Sequence, residues 1–161
     1  MPTSTPLSND HSEPREWEVA VTIARISDIL SKPFFERYAK PYALSLTEWR
    51  VIVVVYQAPG ISAQEIGTLT GMHPMNISRA VARLRAKDRL VSTTDSLNHR
   101  RRNLTLTDAG RAIYNDLIIS AQEQARTLLE VLTIAERQFL TAILDRLLER
   151  ALEIAAPARG D

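Results

Sequence analysis

The stretch SAQEIGTLTGMHPMNISRAVARL, residues 62–84, restricts the fold more than any other part of the chain. Ser62 and Glu65 stand at capping-box spacing, so a short helix from about Ala63 to Thr70 opens there. Gly71 supplies a turn, because glycine enters the left-handed region without steric penalty. Pro74 suits the first turn of a second helix, capped by His73 and running to about Lys87. In that helix Ile77, Ala80, Val81 and Leu84 fall on one face. Gly67 stands where the two helices are expected to cross closely. This is the spacing of a helix-turn-helix.

The residues beyond Lys87 decide between an ordinary helical pair with a solvated face and something more specific. Leu90–Thr94 is β-prone, and Leu104 and Leu106 alternate with Asn103, Thr105 and Thr107 as on a half-buried strand. Between them lie the turn formers Asp95 to His99 and the run Arg100, Arg101, Arg102. Alone, such a hairpin reads equally well as a solvated edge whose charges prevent pairing with other chains. Placed directly after a helix-turn-helix it makes a winged helix, with the second helix entering the major groove of DNA and the hairpin reaching the neighbouring minor groove or backbone.

The face of the second helix opposite its apolar residues carries Met75, Asn76, Arg79 and Arg83, flanked by Ser78 and Arg85. Asparagine can bond adenine through N6 and N7 and arginine guanine through O6 and N7, while serine holds phosphate. At the wing, Arg100 and Arg101 are expected at DNA, with His99 beside them and Arg102 as a phosphate contact or strand-flanking charge. Net charge supports this. Residues 72–111 hold nine Lys or Arg against three acids, or +6, in a chain of net charge +1, so the remainder carries −5. A basic middle between acidic ends suits a polyanion-binding face.

The rest of the 161 residues reads as helix around this lobe. Residues 1–13 form a polar tail expected to be disordered, 14–44 a first helical segment kinked or broken at Pro33 and ended by Pro41, and 45–107 the winged lobe opened by a Ser45–Glu48 capping box. Residues 108–156 form two long helices, the first capped by Thr107 and the second opened by a Thr133–Glu136 capping box, and 157–161 a frayed end. Ile113, Leu117, Ala121, Leu128 and Leu132, with Phe139, Leu140, Ile143, Leu147, Ala151 and Ile154, offer more apolar surface than one small domain covers. The fold class is therefore mainly α, a winged helix-turn-helix with a two-stranded β wing and long terminal helices.

Composition excludes other chemistry. The absence of cysteine removes disulfides, thiol redox sensing and zinc–thiolate sites, and the three histidines lack metal-ligand spacing. No glycine-rich phosphate loop or GxSxG is present, so no catalytic residue, metal or cofactor is expected. No stretch has the length of a membrane span and the N-terminus has no secretion signal, which makes a cytoplasmic, non-enzymatic protein the expectation. A winged helix that binds protein rather than DNA is the closest rival.

The chain resembles the MarR family of winged-helix regulators. The resemblance rests on Leu46 to Ile52 (LTEWRVI), Ser62 to Ile66, Ile77 to Leu84 (ISRAVARL) and the wing ending LTLTDAG at residues 104–110, and covers about residues 15–155. The family's wing usually carries Asp-x-Arg, and here Asn98-His99-Arg100 stands there, without the carboxylate. The resemblance implies a homodimer joined by the first and last two helices, bound to a palindromic operator on double-stranded DNA. It further implies release by a small aromatic or phenolic acid, for which Arg15, Trp17, Arg25, Tyr38, Tyr42, Trp49 and Arg50 are the candidate contacts, each with an alternative role as core, interface or solvated charge.

Overall fold

A computed structural model of the chain describes residues 15–95 and 101–155. The two terminal segments, and the wing-tip residues Asn98, His99 and Arg100, lie outside the described residues. The elements are α1 (Glu16–Phe34), α2 (Leu46–Gln57), α3 (Ala63–Thr70), α4 (Pro74–Ala86), the antiparallel strands β1 (Leu90–Thr94) and β2 (Arg102–Leu106), α5 (Asp108–Leu129) and α6 (Ile134–Ala155). The expected fold class is the one observed: mainly helical, with a two-stranded wing.

The helix starts follow local chemistry. Ser45 and Ser62 each accept the backbone N–H of the glutamate three residues on, and Glu48 and Glu65 answer with a carboxylate oxygen to the serine N–H. Glu136 closes the same box with Thr133. His73 caps α4 through Nδ1, which accepts the Met75 N–H at 3.2 Å, and Gly71 ends α3 at φ 66°. Thr107 caps α5 by accepting the Gly110 N–H.

Pro33 does not break the first helix. It lies inside α1, and the chain continues through a wide turn at Phe35–Ala39 and a tight turn at Lys40–Tyr42 before Ala43, at φ 48°, ends the run two residues beyond Pro41. Proline removes one N–H and crowds the carbonyl four residues back. The Phe35 N–H still reaches the carbonyls of Ser31 and Lys32, and the ladder then widens for one turn instead of stopping.

The core lies where α2, α3 and α4 meet the wing. Ile52, Ile66, Ile77, Leu84, Leu90 and Leu104 are all at most 2% exposed. In β1 and β2, Leu90 pairs with Leu106 and Ser92 with Leu104, so both leucines of β2 face inward. The outer edge of β2 is not left open: Ile61 pairs with Leu104, with Gly60 N–H to Leu104 carbonyl at 2.9 Å and Leu104 N–H to Ile61 carbonyl at 3.0 Å. Two main-chain bonds thus fasten the wing to the α2–α3 connection.

The expectation that Ile113 and Leu117 form an outward apolar surface is corrected. The N-terminal half of α5 belongs to the lobe: Gly110, Tyr114 and Leu117 are buried, and Ile113 and Ala121 pack against the same core. By contrast α6 has no buried residue.

The glycine that tight packing requires is Gly110, not Gly67. A methyl group at Gly67 would meet Ile77 Cδ1 at 3.4 Å, an ordinary contact, whereas one at Gly110 would collide with the Arg89 carbonyl. Gly110→Ala is expected to destabilise the protein by about 2 kcal/mol or more, since backbone must move to admit the methyl. Gly67→Ala is expected to change stability by less than about 1 kcal/mol, contact and helix propensity opposing each other. Chemical denaturation of the two variants side by side tests the assignment.

Candidate nucleic-acid interface and effector groove

Burial of one face of α4 determines what its other face presents. Ile77, Ala80 and Leu84 are at most 3% exposed and pack toward α2 and α3. The helical period then turns Met75, Asn76, Arg79 and Arg83 outward, with Ser78 and Arg85 beside them, and all six are exposed. Among the described residues none of the α4 arginines forms an ion pair. These cations are held on a rigid helix with their charge unspent, a suitable surface for a polyanion.

The structure separates the described wing arginines. Arg102 opens β2 and is exposed. Arg101 is turned inward: its Nη2 donates to Glu65 Oε2 at 3.0 Å and approaches the Gly60 carbonyl at 3.4 Å, and its Nε is buried without a partner. Arg101 therefore ties the wing to the N-terminus of α3. Toward the tip of the wing, Asn103 Nδ2 donates to Asp95 Oδ2 at 3.0 Å.

The expected effector residues do not converge. Arg15, Trp17 and Arg25 are exposed on the early turns of α1, and at about 1.5 Å per residue Trp17 lies on the order of 30 Å from Tyr38. Trp49 is a core residue, 8% exposed, between Phe34 and Tyr114 with ring centroids 5.8 and 6.0 Å away. Tyr114 stacks in turn on Tyr56 at 3.6 Å. Tyr42 donates its hydroxyl to Asp116 on α5 at 3.1 Å, a bond that, ahead of partial burial and the carboxylate charge, raises its pKa. Arg50 points to solvent.

Of the seven, Tyr38 alone lines the groove of about 370 Å³ between α1 and α5. There it stands with Phe34, Arg37, Glu123 and Gln124, and Gln124 locks the helices together by donating to the Leu30 carbonyl at 3.0 Å. Arg37 lies over the Tyr38 ring, 5.6 Å from its centroid. Helical periodicity does not single out Arg37, because the wide turn at Phe35–Ala39 changes which residues face α5. Its one sequence signal is adjacency to Tyr38.

A winged helix-turn-helix carried on long flanking helices is a fold that solved transcriptional regulators share. Solved structures place it more closely. The transcriptional regulator SlyA matches with a TM-score of 0.79 at 21% identity, over 86% of this chain and 96% of its own. A MarR/EmrR family transcriptional regulator from Acinetobacter sp. ADP1 matches with a TM-score of 0.75 at 26% identity, over 84% and 96%. BpsR of Bordetella bronchiseptica, whose structure concerns regulation of DNA binding by 6-hydroxynicotinic acid, matches with a TM-score of 0.69 at 19% identity, over 81% and 98%. Residues 44–102 match the MarR family model. Comparison of the sequence with curated proteins finds no match. No helix among the described residues is long and apolar enough to cross a membrane.

The wing tether carries a pH signature. Bonds from the Ser62 backbone and hydroxyl, and after them the Arg101 charge, hold the Glu65 carboxyl below its ordinary 4.5. A depressed carboxyl stabilises the fold above its unfolded pKa, and that contribution is lost as pH falls below 4.5 through the folded value. In Arg101→Ala the Glu65 titration midpoint is expected to rise, yet to stay below 4.5 because the Ser62 bonds remain. An NMR titration of the glutamate carboxyl carbons measures this, and an unchanged midpoint would show that Arg101 does not hold Glu65 in solution.

Proposed function

We propose that the protein is a homodimeric, sequence-specific DNA-binding regulator, a repressor that a small aromatic or phenolic acid releases from a palindromic operator. The observation that carries this reading is the exposed face of α4, whose arginines have no ion pair among the described residues, with Asn76, Arg79 and Arg83 along one line and Ser78 and Arg85 beside it. Asn76 and Arg79 read base edges, and Arg83, Arg85 and Arg102 neutralise phosphates. The wing tip, with His99 and Arg100, enters the minor groove. Arg101 serves this by anchoring the wing.

In this reading residues 45–107 are the DNA-binding lobe, and α1 with α5 and α6 joins two copies. The support is apolar surface that one chain leaves open: Trp17 and Ile29 on α1 are 60% and 64% exposed, and Phe139 and Ile154 on α6 are 71% and 72% exposed. A twofold partner buries this surface and sets two α4 helices about one turn of DNA apart. The effector enters the groove between α1 and α5, where Arg37 meets its carboxylate and Tyr38 and Phe34 its ring. Ligand regulation of DNA binding in BpsR, which shares the fold, supports this assignment. The work of such a protein is in the cytoplasm, without cofactor or catalysis.

Arg79→Ala is expected to weaken binding to the specific site by about 1–3 kcal/mol and to relax preference at one base pair. An equal loss on all sequences would make Arg79 a phosphate contact. The assay is titration of a labelled fragment from upstream of the protein's own coding region against random DNA at two salt concentrations. Specific binding that weakens steeply with salt supports the regulator, and weak binding to both fragments favours a protein-interaction module. A panel of aromatic acids that shifts neither the thermal midpoint nor DNA affinity would remove the effector from the reading.

A further inference from the structure

Glu48 is the one charged residue among the described residues that is buried, at 2% exposure. Its Oε2 accepts the Ser45 N–H that closes the cap of α2, but its Oε1 is buried without a hydrogen bond. The cation nearest that oxygen is the Lys87 ammonium at 3.9 Å. Lys87 is the residue that ends α4, and its Nζ also donates to the Ala43 carbonyl at 2.6 Å. One ammonium therefore joins the end of α4, the cap of α2 and the left-handed joint at Ala43 between the first helical run and α2.

The arrangement is directional in a way the surrounding core is not. Ile77, Ala80 and Leu84 bury the inner face of α4, but apolar contacts resist sliding and rotation along a helix axis only weakly compared with a charge held against a buried acceptor. The joint is tied elsewhere as well: Tyr42, the residue before Ala43, donates to Asp116 of α5. A continuous chain of contacts thus runs from α5 through Tyr42 and Ala43 to Lys87 at the end of α4.

From this geometry we infer that Lys87 and Glu48 form a strut that sets the position of α4 relative to α5, making them positioning residues for DNA reading and not DNA contacts. The inference rests on the proposed DNA-binding function for its consequence, and on the free protein for its existence. The strut lies at the C-terminal end of α4, so its loss changes the angle at which Asn76 and Arg79 are presented while their side chains remain intact.

The test uses the full-length protein with Lys87→Met, Glu48→Gln, the double variant and Lys87→Arg. In the absence of DNA, hydrogen exchange over residues 79–90 is expected to accelerate in both single variants, while α3 is unchanged. Against a duplex that the wild-type protein selects from a random library, each single variant is expected to lose about tenfold in affinity relative to a scrambled duplex. The double variant is expected to be no worse than Lys87→Met, because it leaves no buried carboxylate unpaired, and Lys87→Arg to recover most of the loss. The dependence of affinity on salt stays as in wild type, since no phosphate contact is removed.

A salt slope reduced by about one in Lys87→Met, with Glu48→Gln unaffected, makes Lys87 a phosphate contact and overturns the inference. Unchanged exchange in both variants overturns it as well. If the wild-type protein selects no duplex, the DNA-binding reading fails, and the strut is judged on hydrogen exchange alone. Should Glu48→Gln fail to fold, Lys87→Met and its arginine rescue decide the matter.

Discussion

The inner face of α4 has to be buried, and most of the lobe is arranged around that requirement. Ile77, Ala80 and Leu84 lose almost all contact with water, each large aliphatic side chain contributing about 1.5–3 kcal/mol by burial. Rotating α4 by a quarter turn would expose these residues and drive Arg79 or Arg83 into the core, where an unpaired charge costs several kcal/mol. The same burial that stabilises the lobe therefore determines which residues face outward. Buried core and exposed basic face are two sides of one helix.

Capping carboxylates extend this control beyond their own helices. Glu65 closes the cap of α3 and also receives Arg101 from the wing, while Glu48 closes the cap of α2 and faces Lys87 from the end of α4. In each case a local bond already orients the carboxylate, so a distant cation finds a prearranged partner. An exposed pair such as Arg101–Glu65 adds little to stability by itself. Its effect is geometric: together with the main-chain bonds at Ile61 it sets the direction in which the wing leaves the lobe.

The lobe and the long helices are not separate pieces, because α5 serves both. Its first half buries Tyr114 and Leu117 against α2, in an aromatic stack that runs from Tyr56 through Tyr114 and Trp49 to Phe34 and Tyr38. Its second half lines the groove with α1. A change in the groove is thus a change in an element that also packs into the winged lobe. That is the physical requirement for coupling a small ligand to α4, since a ligand shifts an equilibrium only through a difference in the contacts it makes in the two states.

The sequence alone determined the elements and their caps: Ser45, Ser62, Thr107 and Thr133 start helices through bonds to residues three positions away, and the periods of 3.6 and 2 identify the inner faces of α4 and β2. Those are short-range effects, and short-range patterns carry them. Only the tertiary structure decided the fate of individual charges and rings. Arg101 and Arg102 are neighbours of one residue type, yet one pairs with Glu65 and the other, at the start of β2, faces outward. Trp49 and Tyr42 have the composition of a ligand site and serve as core and brace, while Arg37 reaches the groove through a widened turn that no periodicity announces. Lys87 and Glu48 meet across 39 positions of sequence, and only the crossing of α2 and α4 brings an ammonium to a carboxylate that would otherwise be buried alone.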